Sequence, residues 1–184
     1  MAAVSNLKNM VLNLTLVCLI CSGLLGGVYV LTADRIAMAQ QERTNASIAR
    51  VLPAFEGQPE FVQCEVDGVV YECFRVEGSG LAVVSTVEGF GGPLTIMVGF
   101  AEAGSVVNTV VLSHSETPGL GAKCTSDVRF IDQFKGWDPA VRRLAVVKDG
   151  GEVDAITAST ITSRAYTAAV QNAYKVYLNL RGNE

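Results

Sequence analysis

The first clear pattern along the chain is an uninterrupted apolar run. No charged residue stands between Lys8 and Asp34, and residues 10–32 read MVLNLTLVCLICSGLLGGVYVLT. About 20 helical residues cross the roughly 30 Å hydrocarbon layer of a bilayer, so this run predicts one transmembrane helix. A cleaved signal peptide has an apolar core of only about 7–15 residues, and Asp34 and Arg35 lie awkwardly before the one small-residue site, Ala37-Met38-Ala39. An uncleaved anchor is the better reading. Residues 33–53 then turn more polar and rich in Ala, with Gln40, Gln41 and Glu42, up to Pro53, which predicts a helical stalk.

From Phe61 the period changes. FVQCEV, VVYECFRV, LAVVSTV, LTIMVGFA and SVVNTVVLS are short runs rich in β-branched residues, separated by Asp-Gly and Gly-rich breaks. They predict a mainly antiparallel sheet. Asp67-Gly68 reads as a two-residue hairpin turn that sets Cys64 opposite Tyr71 and Cys73 opposite Val62. The two thiols are then diagonal neighbours about 7–8 Å apart, at the edge of disulfide reach, with free thiols the default. VRFIDQFKGW predicts a short amphipathic helix, and RRLAVVKDG a strand and turn. In the last helix Ile161, Ala165, Ala168, Ala169, Asn172, Ala173, Val176, Tyr177 and Leu180 form the apolar stripe, with Ser163, Arg164, Gln171, Lys175 and Asn179 opposite. Strands followed by packed helices make an α+β class. The expected organisation is an N-terminal segment, 1–32, the stalk, 33–53, and one domain, 54–184.

Composition narrows the function. With 14 Lys and Arg against 18 Asp and Glu in 184 residues, no basic face for nucleic acid is expected. His114 is the only histidine, which excludes a multi-histidine metal site, and no hydrolase, Walker or Rossmann fingerprint occurs. Cys18 and Cys21 lie within the apolar run and read as small packing residues. A single N-terminal span followed by a domain without a further apolar run is most simply an N-in anchor, with the domain outside the cytoplasm.

Two stretches could carry chemistry. HSETPGLGAK, residues 114–123, holds two glycines and a proline, and fits either a tight surface turn or a loop whose backbone approaches a ligand. DAITASTITS, residues 154–163, sets five hydroxyls at the start of a helix. They serve as caps, or they offer a hydroxyl at a place whose free N–H groups favour phosphate. Composition alone leaves both readings open.

The ordered stretches resemble a known family. DAITAST is similar to the flavinylation motif Asp-x-x-(Ser/Thr)-Gly-Ala-Thr of the FMN-binding domain family, HSETPGLGAK to that family's second signature loop, and GFGGPLTIMVGF, residues 89–100, to its glycine-rich strand. With the anchor and length, the chain resembles the G-subunit family of Rnf-type electron-transport complexes. The resemblance implies an electron-carrying component of an ion-translocating oxidoreductase, coupling ferredoxin and NAD electron transfer to Na⁺ or H⁺ movement across a bacterial inner membrane. It implies covalent FMN, joined by a flavin transferase through the phosphate to Thr160, and the other membrane subunits of the complex as partners. Glu116, Thr117, Gly119, Leu120 and Gly121 are implied at the flavin, with Ser159, Ile161 and Thr162 beside the attachment point and Lys123 as a phosphate partner. The sequence departs from the motif at Ala158 and Ser159, where Gly and Ala are usual. Two other readings are the related C-type component of a Na⁺-translocating NADH:quinone reductase and a membrane-anchored domain without flavin.

Overall fold

A computed structural model describes residues 7–55, 57 and 59–182. The first six residues of the N-terminal segment and the last two of the domain lie outside them. Helix α1 (Leu7–Val51) is one unbroken element of 45 residues, so the expected span and stalk are continuous. Its apolar part turns every large side chain outward, with Leu25 76% and Leu31 80% exposed. It is long and apolar enough to cross a membrane, and a hydrocarbon layer is the medium in which such a surface is stable.

A separate compact unit begins at Asn45. Five strands, β1 (Glu60–Val66), β2 (Val69–Val76), β3 (Gly80–Glu88), β4 (Pro93–Phe100) and β5 (Val106–His114), form one sheet in sequence order, each antiparallel to the next. Asp67 and Gly68 hold φ of 54° and 77°, as a type I′ hairpin requires. The register is the expected one, Cys64 opposite Tyr71 and Val62 opposite Cys73. Both thiols are free, and Cys64 Sγ donates to Asn179 Oδ1 at 3.5 Å. Burial, helped by the nearby Cys64 and Glu72, pushes the Cys73 thiol up to about 12, which keeps it protonated and inert at neutral pH.

The alternation along each strand divides the core in two. Cys73, Leu81, Val83, Ile96, Val98 and Phe100 face α3 (Thr160–Gly182) together with the aromatic residues Phe130, Phe134 and Trp137. Ala82, Met97 and Val110 face the other way and bury Ile48, Val51 and Leu52. At Gly99 the chain lies so close that a Cβ would meet the Val51 carbonyl oxygen, and Asn108 Nδ2 donates to the Arg50 carbonyl at 2.8 Å. Gly99→Val is therefore expected to destabilise the domain by about 1–3 kcal/mol through overpacking. A denaturation midpoint equal to that of the unsubstituted protein would contradict this contact.

VRFIDQFKGW contains the expected short helix, α2 (Val128–Ile131), capped by Asp127 and continued by a 3₁₀ turn, Asp132–Phe134, with Phe130 and Phe134 turned inward. Two sequence expectations are corrected. RRLAVVKDG adds no strand to the sheet. It folds back on itself: Val147 N–H donates to Val153 O, Asp149 and Gly151 N–H donate to Val146 O, and a single parallel bridge joins Val146 to Val153. In α3 the expected polar positions Arg164, Gln171, Lys175 and Asn179 are exposed, but Ser163 is fully buried and Ile161 is 50% exposed. Tyr166 and Val170, absent from the expected stripe, are fully buried in the core. The buried Ser163 hydroxyl makes the bonds that fix the turn before the helix, and this rotates Ile161 outward.

Candidate functional site

The segment leading into α3 is fixed before the helix begins. Gln133 brackets the backbone of Asp154, donating to its carbonyl at 3.1 Å and accepting its N–H at 2.8 Å. The Ser163 hydroxyl accepts from Ile156 N–H at 2.9 Å and donates to Ser159 O at 3.0 Å. Between them Ile156–Ser159 forms a turn, closed by Ser159 N–H on Ile156 O at 3.0 Å. Its third residue, Ala158, holds φ of 61°. A type II turn demands this left-handed conformation and favours glycine there; alanine adopts it at about 1 kcal/mol.

Helix α3 then starts at Thr160, with no acidic residue in its first turn. Thr160 is half-buried, and Lys148 Nζ lies 3.5 Å from its hydroxyl oxygen. Ser159 is only 6% exposed, and its Oγ has no hydrogen-bond partner among the described residues. It occupies the cap position without using its side chain as a cap.

The 114–123 loop meets this helix start through one carboxylate. Glu116 is 5% exposed. Its Oε1 accepts from Phe90 N–H at 2.8 Å and its Oε2 from the Thr162 hydroxyl at 2.9 Å, while its own N–H donates to His114 Nδ1 at 3.2 Å. Glu116 thus ties the 89–92 turn, its own loop and α3 into one site. A Cβ at Gly121 would meet Oε2 of this carboxylate and one at Gly89 would meet Oε1. Glycine there is a condition of the close approach.

These elements enclose a cleft of about 360 Å³ lined by Phe90, Glu116, Thr117, Leu120, Gly121 and residues 158–162. Phe90, Leu120 and Ile161 are 66%, 45% and 50% exposed and form an apolar rim. Of the residues named from the sequence, Glu116, Thr117, Leu120, Gly121, Ser159, Thr160, Ile161 and Thr162 meet at the cleft, and Gly119 stands outside its lining. The Thr117 carbonyl is occupied within the loop by Leu120 and Ala122 N–H. Lys123 is exposed and its ammonium makes no ion pair or hydrogen bond among the described residues. Phe90 and Lys148 were missed. Phe90 lay in a quoted glycine-rich stretch without a role, and Lys148 lay in a segment read as a strand.

A family model described as the FMN-binding domain matches residues 89–175, a range that contains every residue of the cleft. A second, the RnfG N-terminal region, matches residues 1–51. The G subunit of the ion-translocating oxidoreductase complex of Shewanella baltica is 32% identical over 90% of this chain and 87% of its own length. The chain belongs to the G-subunit family of ion-translocating oxidoreductase complexes. The G subunit of the proton-translocating ferredoxin:NAD(+) oxidoreductase complex of Clostridium ljungdahlii is likewise 32% identical, over 94% of this chain and 92% of its own. The crystal structure of the C subunit of Na(+)-translocating NADH-quinone reductase from Parabacteroides distasonis superposes with a TM-score of 0.50 at 22% identity. It covers 70% of this chain and 77% of that one, and speaks for the fold alone. The protein is thus a membrane-anchored electron-transfer component of an oxidoreductase assembly, and its domain is of the FMN-binding type.

Proposed function

We propose that this protein carries FMN as a phosphoester on Thr160 and passes electrons between carriers of a membrane complex that couples ferredoxin and NAD to Na⁺ or H⁺ movement. The observation that carries the reading is the contrast between two neighbouring hydroxyls. Thr160 is half-buried at the head of a 23-residue helix, while Ser159 Oγ is hidden from solvent. Only the first is open to a reacting phosphorus. The helix start adds unpaired N–H groups and the positive end of a dipole.

The residues present fit the group. The apolar rim of Phe90, Leu120 and Ile161 suits a flat aromatic ring, and the glycines at 89 and 121 bring the backbone up to the cleft. FMN supplies the electron chemistry when bound, and the chain's own groups hold and orient it. In the attachment step Thr160 Oγ displaces AMP from FAD on the flavin transferase. An O–P bond forms to the FMN phosphorus, the P–O bond to AMP breaks, and the hydroxyl proton passes to a base of the transferase or to water. Glu116 and Thr162 take no part in this exchange; their mutual hydrogen bond keeps the two walls of the cleft together.

The remaining partners follow from family and composition: the other membrane subunits, the transferase, and a bilayer around the apolar part of α1. The domain, taken as residues 54–184 beyond a span at about 10–32 and a stalk at 33–53, lies on the extracytoplasmic side. The match of residues 1–51 to the RnfG N-terminal region favours this assembly over the quinone-reductase alternative. The test is the full-length protein purified from cells that contain a flavin transferase. A denatured band that fluoresces as flavin, with the Thr160 peptide heavier by FMN less one water, supports the reading. A dark band with an unmodified peptide ends it.

A further inference from the structure

We propose that Lys148 is the charge partner of the phosphate on Thr160, and that the Asp149–Arg164 ion pair keeps it available; the inference rests on attachment at Thr160. A phosphodiester carries one negative charge, and the chain is itself net negative at −4. A local cation is therefore needed beside the anion. Lys148 Nζ is 3.5 Å from Thr160 Oγ, the atom to which the phosphorus bonds. Among the described residues no carboxylate claims that ammonium.

The absence of a competing carboxylate is a matter of construction. Asp149 is the next residue and the only carboxylate of its turn. Arg164 takes it, with Nε on Oδ2 and a second nitrogen on Oδ1, each at 2.7 Å. Such two-point pairing is the strongest form of the interaction; it is the main cause that holds the Asp149 carboxyl below its usual range, with Arg143 and Lys148 adding to it, and it holds the guanidinium above. Arg164 lies one turn beyond Thr160 on the same face of α3. One ion pair thus docks the 3₁₀ turn Val147–Asp149 against the helix start and withdraws its only carboxylate.

The experiment follows flavin incorporation into the full-length protein by a flavin transferase supplied with FAD, over a range of salt concentrations. Lys148→Gln is expected to slow loading about tenfold, the scale of one lost charge-assisted hydrogen bond, and Lys148→Glu further. Lys148→Arg should stay within about twofold, since the charge is kept. The ratio of wild-type to Lys148→Gln rates should fall towards one as salt screens the charge. Arg164→Gln should also slow loading by releasing Asp149, and Asp149→Asn should restore it in the double variant. On loaded protein, the phosphorus-31 resonance should differ between wild type and Lys148→Gln, a readout of the phosphate's surroundings that a transferase contact would not move. Melting curves on all variants exclude a folding defect. Wild-type rates and salt dependence for both Lys148→Gln and Lys148→Glu, or an unchanged phosphorus resonance, would overturn the proposal. Full loading of Thr160→Ala would remove the attachment site itself, and the role of Lys148 with it.

Discussion

Thr160→Ala is expected to give a folded protein from which no flavin remains on the denatured chain. The substitution removes the one hydroxyl that is both at the helix start and open to the cleft. Its stability cost should stay below about 1 kcal/mol, since the only side-chain bond lost is a long one to the exposed Lys148. Thr160→Ser should keep part of the loading, because the nucleophilic oxygen survives. Ser159→Ala is the matched control and should load as the unsubstituted protein does, its Oγ being occluded. In-gel flavin fluorescence and peptide mass read all three. A dark Ser159→Ala beside a loaded Thr160→Ala would move the attachment by one residue.

Glu116→Ala should produce the largest loss of stability at the site, about 3 kcal/mol. Two donors, Phe90 N–H and the Thr162 hydroxyl, would lose their acceptor inside the protein, at about 1–3 kcal/mol each. Glu116→Gln separates charge from geometry. Its amide oxygen can still accept from Phe90 N–H, and its NH₂ can donate to Thr162, whose hydroxyl turns from donor to acceptor. The glutamine variant should therefore lose about 1 kcal/mol, well short of alanine. Denaturant midpoints decide this, and equal midpoints for the two variants would mean that the carboxylate is not the tie described.

Much of the fold was legible because its determinants are local. Asp67-Gly68 alone set the hairpin and with it the positions of Cys64 and Cys73, and the β-branched runs marked all five strands. The errors arose where a tertiary bond overrode a local pattern. Ser163 reads as a solvent-facing serine until its hydroxyl is seen between Ile156 N–H and Ser159 O. RRLAVVKDG has strand composition, yet its donors are spent on nearby carbonyls, from Asp138 to Val153, rather than on a strand of the sheet.

At the site, motif order pointed to segments that the fold brings together at one cleft, but could not assign work within them. Glu116, expected at the flavin, lines the cleft with both its oxygens bonded to the protein. Lys123 was named for the phosphate by the resemblance, and it is exposed. Lys148, twelve residues before Thr160, lies 3.5 Å from its hydroxyl, and the turn that carries it is tied to the helix by the Asp149–Arg164 pair.

The meander has a further consequence for how the protein is made. Each strand pairs with the one synthesised just before it, so the sheet can form hairpin by hairpin as the chain emerges. The face bearing Leu81, Val83, Ile96, Val98 and Phe100, however, is covered largely by α3, the last element. At about 5–20 residues per second, several seconds separate the completion of β5 from that of α3. During that interval a greasy sheet stands half-dressed, and a truncation within the final twenty or so residues would leave it so permanently. The helix that heads the cofactor site is also the lid on the core, so loss of the chain's tail forfeits both at once.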